Sequence, residues 1–298
     1  MYQPGTANSP ALLLQALATF AGNAGWTIDL SNNTSGDDWT LAMHKGTCYL
    51  WWRANGINIS IQGATGYTAG QPVASQPNIS SALSMNPGVG PFASYQFFSD
   101  PAATYLHIAI EKVAGIFLHA HTGQLTAIGG AASCTYVQRS NWDFSGNWGS
   151  YPDYQNLNYI PWSQYSRSGF VGTTIDGTFR WFASQGNVSP ARAVMPVQSG
   201  GLQHRGFTRT PNQFNALAPY FTLPIFVERA SANTYSYIGD VPDLRLVNMA
   251  YINPGDEITI GTDTWRILPA CSKGTTVGTF QSAVISSGNY GFAFRKVP

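Results

Sequence analysis

Three histidines in one stretch are the residues whose type and spacing could do chemistry. His107 falls in the run TYLHIAIEK, and His119 and His121 fall in IFLHAH. Histidine is the commonest metal ligand, and two imidazoles at i and i+2 on one strand with a third across the ladder can hold zinc as a three-His site. That chemistry would suit a metal-assisted hydrolase acting on a cell envelope. A bare three-His set, however, needs acceptors that fix each tautomer. Glu111 is the only acidic candidate in the hairpin, either as such an acceptor or as a solvated strand end. The competing expectation is structural: half-buried polar residues of a sheet face, bonded to backbone, water or a neighbouring subunit, with no metal and no cofactor.

Paired carboxylates occur at Asp37-Asp38 and at Asp240 with Asp243. Glycosidase chemistry would need two carboxylates roughly 5 to 10 Å apart across a sugar cleft, a distance that spacing in sequence does not supply. Beside Gly36 and Pro242 they read as turn and cap residues. No GxSxG, HExxH or Walker-type loop is present, so nucleophilic and phosphate chemistry have no foothold. An aromatic set, Trp142, Trp148, Tyr151, Tyr154, Tyr159, Trp162 and Tyr165, could stack on sugars or plug a subunit interface, since interface cores enrich Trp and Tyr.

Alternation positions the histidines. In TYLHIAIEK, Leu106, Ile108 and Ile110 share one face and Tyr105, His107, Ala109 and Glu111 the other; in IFLHAH, Ile116, Leu118 and Ala120 oppose Phe117, His119 and His121. Keeping both apolar sets on one side requires an odd-length connection, such as Val113-Ala114-Gly115 with Gly115 at positive φ. That register sets His107 across from His121. Around the hairpin, Ser9-Pro10 followed by ALLLQALATFAGNAG predicts a helix with Ser9 as N-cap and Gly22 or Gly25 as stop. Short extended runs (WTIDL, DWTLAMHK, TCYLWWRA, INISIQGAT) predict an antiparallel meander packed on it. Residues 66–91 are rich in Pro, Gly and Ser and predict a long loop of the functional or interfacial kind, ordered by neighbouring chains. DLRLVNMAYI, DEITI, DTWRILPA and NYGFAFRKV predict four C-terminal strands, with turns at Asn253-Pro254-Gly255 and Gly261-Thr262.

The expected fold is mainly β with one N-terminal helix (α+β), in two β-rich domains. Residues 1–135 form a helix plus antiparallel β domain. Residues 136–298 form an aromatic, turn-rich region ending in a small β-barrel or sandwich.

Charged residues are only 10% of the 298, against about 25% in an average soluble protein. So few charges leave a lone protomer little to keep it soluble, whereas a surface covered by neighbours does not need them; a homo-oligomer is expected. A formal charge of +1 without a basic run excludes a nucleic-acid track. Cys48, Cys134 and Cys271 are odd in number and far apart, which reads as three reduced thiols. Neither a leader pattern nor an apolar stretch of about 18 residues occurs, so membrane insertion is not expected and the chain is read as made in a cytosol.

Several stretches carry a resemblance. GWTID after the opening helix is followed by Gly63, Gly66 and Tyr67, then by Gln76 and Pro77, then by a hairpin ending in His119, Gly123 and Leu125. With the ending PGDEITIGTDTWRILPACSKG and SGNYGFAFRK, this order resembles a widespread group of virion structural proteins from tailed bacteriophages. The resemblance spans roughly the first 130 and last 60 residues and implies a location, not a chemistry: a non-catalytic component of the tail, neck (collar) or baseplate, assembled in the host cytoplasm with other virion proteins. The alternative is a tail-tip adhesin that binds host-surface glycan.

Overall fold

The computed structural model describes residues 1–35, 38–127, 134–140, 161–162, 169–175, 177–183, 191–194, 220–221, 224–229, 234–273, 287 and 290–298. In chain order, β1 (Tyr2–Gly5) leads to α1 (Pro10–Asn23), then β2 (Thr27–Ser35), β3 (Asp38–Lys45), β4 (Cys48–Asn55), β5 (Asn58–Ala64) and β6 (Leu83–Met85). β7 (Ser94–Phe98), β8 (Tyr105–Val113), β9 (Ile116–Gln124), β10 (Thr135–Arg139), β11 (Gly169–Ile175) and β12 (Thr178–Ala183) follow. The chain continues through β13 (Ala191–Val194), β14 (Tyr220–Phe221), β15 (Pro224–Arg229) and β16 (Thr234–Asp240). It ends with β17 (Leu244–Asn248), β18 (Glu257–Ile260), β19 (Asp263–Pro269) and β20 (Tyr290–Lys296). Among the described residues the protein is mainly β with a single α-helix, near the N-terminus, and the paired strands are antiparallel.

The helix begins as its residue types dictate. Ser9 is extended, its Oγ accepts from Leu12 N at 3.2 Å, and Pro10 takes the first turn, where its missing N–H is not needed. Gly25, at φ +83°, turns the chain out just past the C-terminus. Leu13, Leu14, Leu17, Phe20 and Ala21 are buried against the meander β2-β3-β4-β5-β6, whose inward residues alternate as Leu41/Met43, Leu50/Trp52 and Ile59/Ile61. The same core takes in Leu106, Ile108, Ile110, Leu118 and Ala120 from one face of the seven-stranded sheet β1-β7-β8-β9-β10-β11-β12. Strands on both sides of residue 135, where the sequence suggests a boundary, share that sheet.

The opposite face of the seven-stranded sheet is covered by the C-terminal sheet β14-β17-β20-β19-β18. Phe292 and Phe294 of β20, Leu268 of β19 and Leu244 and Leu246 of β17 meet Phe98, Tyr105, Ala109, Phe117 and Tyr136 in a second core. The four predicted C-terminal strands are β17, β18, β19 and β20, and the predicted turns carry Gly255 and Gly261 at φ +87° and +62°. β13, β15 and β16 form a further small sheet.

The segment from 66 to 91 departs from its expectation. It is irregular apart from a 3-10 turn at Val73–Ser75 and β6, yet its own chain holds it. Gln76 is buried and pins the loop to itself: its Oε1 accepts from Thr68 N at 2.8 Å, and its Nε2 donates to Thr68 O and Gln71 O at 3.0 Å. Ser80 ties the loop to β5 through Gly63, by N→O at 2.8 Å and by Gly63 N→Oγ at 3.0 Å. Tyr67, Val73 and Ile79 thereby cover Trp51 and Ala42 on the outer face of the meander. Low apolar content did not prevent order, because side-chain amide and hydroxyl groups complete the backbone hydrogen bonds that a loop leaves open. No helix of the described residues is long and apolar enough to cross a membrane.

Candidate functional site

The histidine hairpin has the register that alternation requires. His107 pairs with His121, and Ala109 with His119. The odd residue is absorbed differently from the expected three-residue loop: a bulge between Glu111 and Val113 takes up Lys112, leaving Ala114-Gly115 as the turn, with Gly115 at φ +79°. Across β10, Gln138 pairs with His121, so His107, His121 and Gln138 lie in one row on the face toward the C-terminal sheet.

These imidazoles are not half-buried, as a sheet face open to solvent or to a second subunit would make them; all three are 0% exposed. The covering atoms belong to the same chain. The Phe294 ring stacks on His121 at 5.7 Å and 3° and on His119 at 5.8 Å and 17°, and Phe292 stands edge-on to His119 at 5.2 Å. Carbonyls of the β16–β17 connection and of the end of β19 reach in. His107 Nε2 lies 2.8 Å from Pro242 O, and His119 Nε2 lies 2.8 Å from Pro269 O. A carbonyl only accepts, so both Nε2 atoms carry hydrogen. In the neutral form His107 Nδ1 is then a lone pair, and His121 Nδ1, at 3.4 Å, donates to it. This chain of donors fixes all three tautomers without a carboxylate.

Burial, the largest influence, pushes the His107 and His119 imidazoles down to about 4, while the Pro242 and Pro269 carbonyls pull the other way, joined at His107 by Asp243. His121 is lowered further still, by burial and then by the imidazoles of His107 and His119 beside it. The three rings are therefore neutral near pH 7. Among the described residues His119 Nδ1 and His121 Nε2 have no hydrogen-bond partner. Among the described residues no three His, Cys, Asp or Glu side chains are arranged to hold a metal ion.

Asp243 is spent on structure. It sits at φ +51°, and its Oδ2 accepts from Tyr105 Oη at 2.7 Å. Arg295 Nη1 lies 3.3 Å from its Oδ1, while Arg295 Nε bonds Asp263 Oδ1 at 2.9 Å. Asp240 bridges to Thr126 through backbone N and O, and Asp38 pairs with Arg53 at 3.2 Å. Asp37 lies outside the described residues. Of the seven aromatic candidates only Trp162 lies within them, and it is a core residue at 0% exposure, 5.3 Å from Tyr136 and 6.0 Å from His121. It offers no face to a sugar. Cys48, Cys134 and Cys271 are free and buried, with the thiols of Cys48 and Cys271 pushed up to about 12 by burial.

The residues that carry the resemblance have packing roles. A Cβ on Gly63 would collide with the Trp181 ring, and one on Gly66 would press on Pro77 at 3.2 Å. Gly123, at φ +147°, would collide with Thr104 O. Tyr67 packs on Trp51 with centroids at 5.7 Å, Pro77 O accepts from Thr65 N, and Gln76 pins the loop. Sequence reasoning missed the partners of the histidines, Pro242 O, Pro269 O and the two phenylalanines, because nothing in a local pattern reveals which distant strand covers a face. No family model and no curated protein matches this chain.

Proposed function

We propose that this protein is a non-catalytic structural component of a tailed-phage virion, in the tail, neck or baseplate, and that it assembles with copies of itself and with other virion proteins. The phage assignment rests on the sequence resemblance. Assembly is supported by one end of the molecule. The loop 86–91 is tied to the β4–β5 turn by Gly88 N→Ile57 O at 3.3 Å, abuts Lys112 of the β8–β9 hairpin through Gly88, and abuts Asn8 through Gly90. Leu12, Ile57, Val89 and Val113, exposed at 45%, 41%, 65% and 51%, lie on or within a few residues of these converging segments. Exposed apolar side chains that gather in one place mark interaction sites, and a chain with 10% charged residues has little else to keep such a surface apart from its neighbours.

The Val89→Asp/Val113→Asp double variant tests the assembly. Static light scattering across micromolar concentrations is expected to show a self-associating wild type and a shift toward monomer in the variant. A wild type that stays monomeric throughout would remove the assembly argument. Mass spectrometry of purified virions, followed by cryo-EM, tests the placement; absence of the chain from virions would end it.

A further inference from the structure

A cleft of about 220 Å³ opens between the seven-stranded sheet and the turn before β18. Ser94, Glu111 and Phe117 lie in one row across β7, β8 and β9, Gln96 stands two residues along β7, and Arg266 and Leu268 face them from β19. We propose that this cleft binds one neutral, polyhydroxylated ring, a monosaccharide unit. The inference stands apart from the virion assignment and uses none of the aromatic residues 142–165.

Gln96 carries the argument. It is 5% exposed and lines the cleft. Arg266 Nε donates to its Oε1 at 2.5 Å and Tyr2 Oη at 3.3 Å. Two donors on one atom identify that atom as oxygen, so the amide nitrogen is turned the other way, and it makes no hydrogen bond among the described residues. That nitrogen is not one of the sealed polar atoms without a partner, so it reaches solvent at the cleft and its donors are open to an acceptor on a ligand. Arg266 adds a second free donor: Nη1 serves Gly255 O at 3.0 Å and Glu257 at 2.9 Å, which leaves Nη2. Glu111 supplies the complementary acceptor. Each of its oxygens takes one bond, from Ser94 Oγ at 2.7 Å and Gly115 N at 2.8 Å, with lone pairs to spare.

Charge selects among ligands. Arg266 is already paired with Glu257, which also holds Lys296 at 2.9 Å. One carboxylate shared by two cations leaves one positive charge over, and the Glu111 carboxylate that lines the same cleft balances it, so neither an anion nor a cation is favoured there. Hydroxyl groups both donate and accept, which matches the amide donors of Gln96, the guanidinium of Arg266 and the carboxylate of Glu111. Drug-sized ligands occupy pockets of about 300–1,000 Å³; the smaller cleft here fits a single ring.

Saturation-transfer NMR with glucose, galactose, mannose, rhamnose and N-acetylglucosamine, at tens of millimolar, tests the site on the full chain. At least one sugar is expected to receive transfer, and to move the Gln96 side-chain amide and Arg266 Nε–H signals in ¹⁵N spectra of the wild type. Ser94→Leu, which fills the cleft, and Glu111→Gln, which removes the carboxylate, are each expected to weaken binding about tenfold or more. The wild-type amide shift decides the matter even where a variant folds poorly. No transfer to any of the five sugars, transfer without movement of the Gln96 amide, or tighter binding of glycine or arginine than of every sugar would overturn the proposal.

Discussion

At the scale of single residues, the histidines show how a metal-ligand pattern becomes a set of neutral hydrogen-bonding core residues. Each ring is oriented by a partner on its own chain, and the cost of burying a polar ring is offset where a carbonyl accepts its N–H. The arrangement predicts an acid limb in stability. An unfolded chain carries these imidazoles at the ordinary 6.5, whereas folding holds His107 and His119 at about 4. Between those values the unfolded state binds more protons, so stability falls as pH drops from 6.5 through 4; above 6.5 neither state is protonated and the contribution is flat. At pH 4.5 each of the two contributes a loss of about 2–3 kcal/mol relative to pH 7.5. Urea unfolding at the two pH values is expected to show this loss, and a smaller one in His121→Leu, which removes the third depressed imidazole. An equal loss in variant and wild type would mean that other groups carry the acid limb.

At the scale of elements, the loop from 66 to 91 is ordered by one buried amide more than by apolar contact. Gln76→Ala removes three hydrogen bonds, those to Thr68 N, Thr68 O and Gln71 O. The two backbone groups of Thr68 would then compete for water, and the cover that Tyr67, Val73 and Ile79 give to Trp51 would loosen. Limited proteolysis is expected to cut the variant faster between residues 66 and 80, with a modest loss of global stability, since loops open locally at less than the global free energy. Cleavage at the wild-type rate would show that Gln76 is dispensable.

For the whole molecule, the second core joins the seven-stranded sheet to the C-terminal strands. β20 lies in the middle of its sheet, between β17 and β19, and sends Phe292 and Phe294 onto the histidine hairpin. This placement predicts that the two sheets unfold together. Phe294→Ala would open a cavity against His107, His119, His121 and Phe98 and is expected to lower stability by about 3–5 kcal/mol. Denaturant melts followed by near-UV and far-UV circular dichroism are expected to coincide; a separate early transition for the C-terminal strands would show that the two sheets are independent.

Local chemistry was legible in the sequence. Ser9-Pro10 capped the helix, two-residue alternation set the faces of β8 and β9, and the need to keep both apolar sets together put His107 opposite His121; each depends only on backbone periods and neighbouring residues. The meander, the C-terminal strands and their glycine turns followed from the same periods. Tertiary structure decided what alternation cannot express. Both faces of the hairpin are buried, so the face carrying His107, His119 and His121 is a core; its cover comes from Phe292 and Phe294, far along the chain, and from carbonyls that no side-chain pattern encodes. Trp162 went inward, and Gln76 tied down a loop whose composition suggests disorder. Order there comes from hydrogen bonds to specific backbone atoms, and which atoms come within reach of a side chain is settled only when distant segments pack.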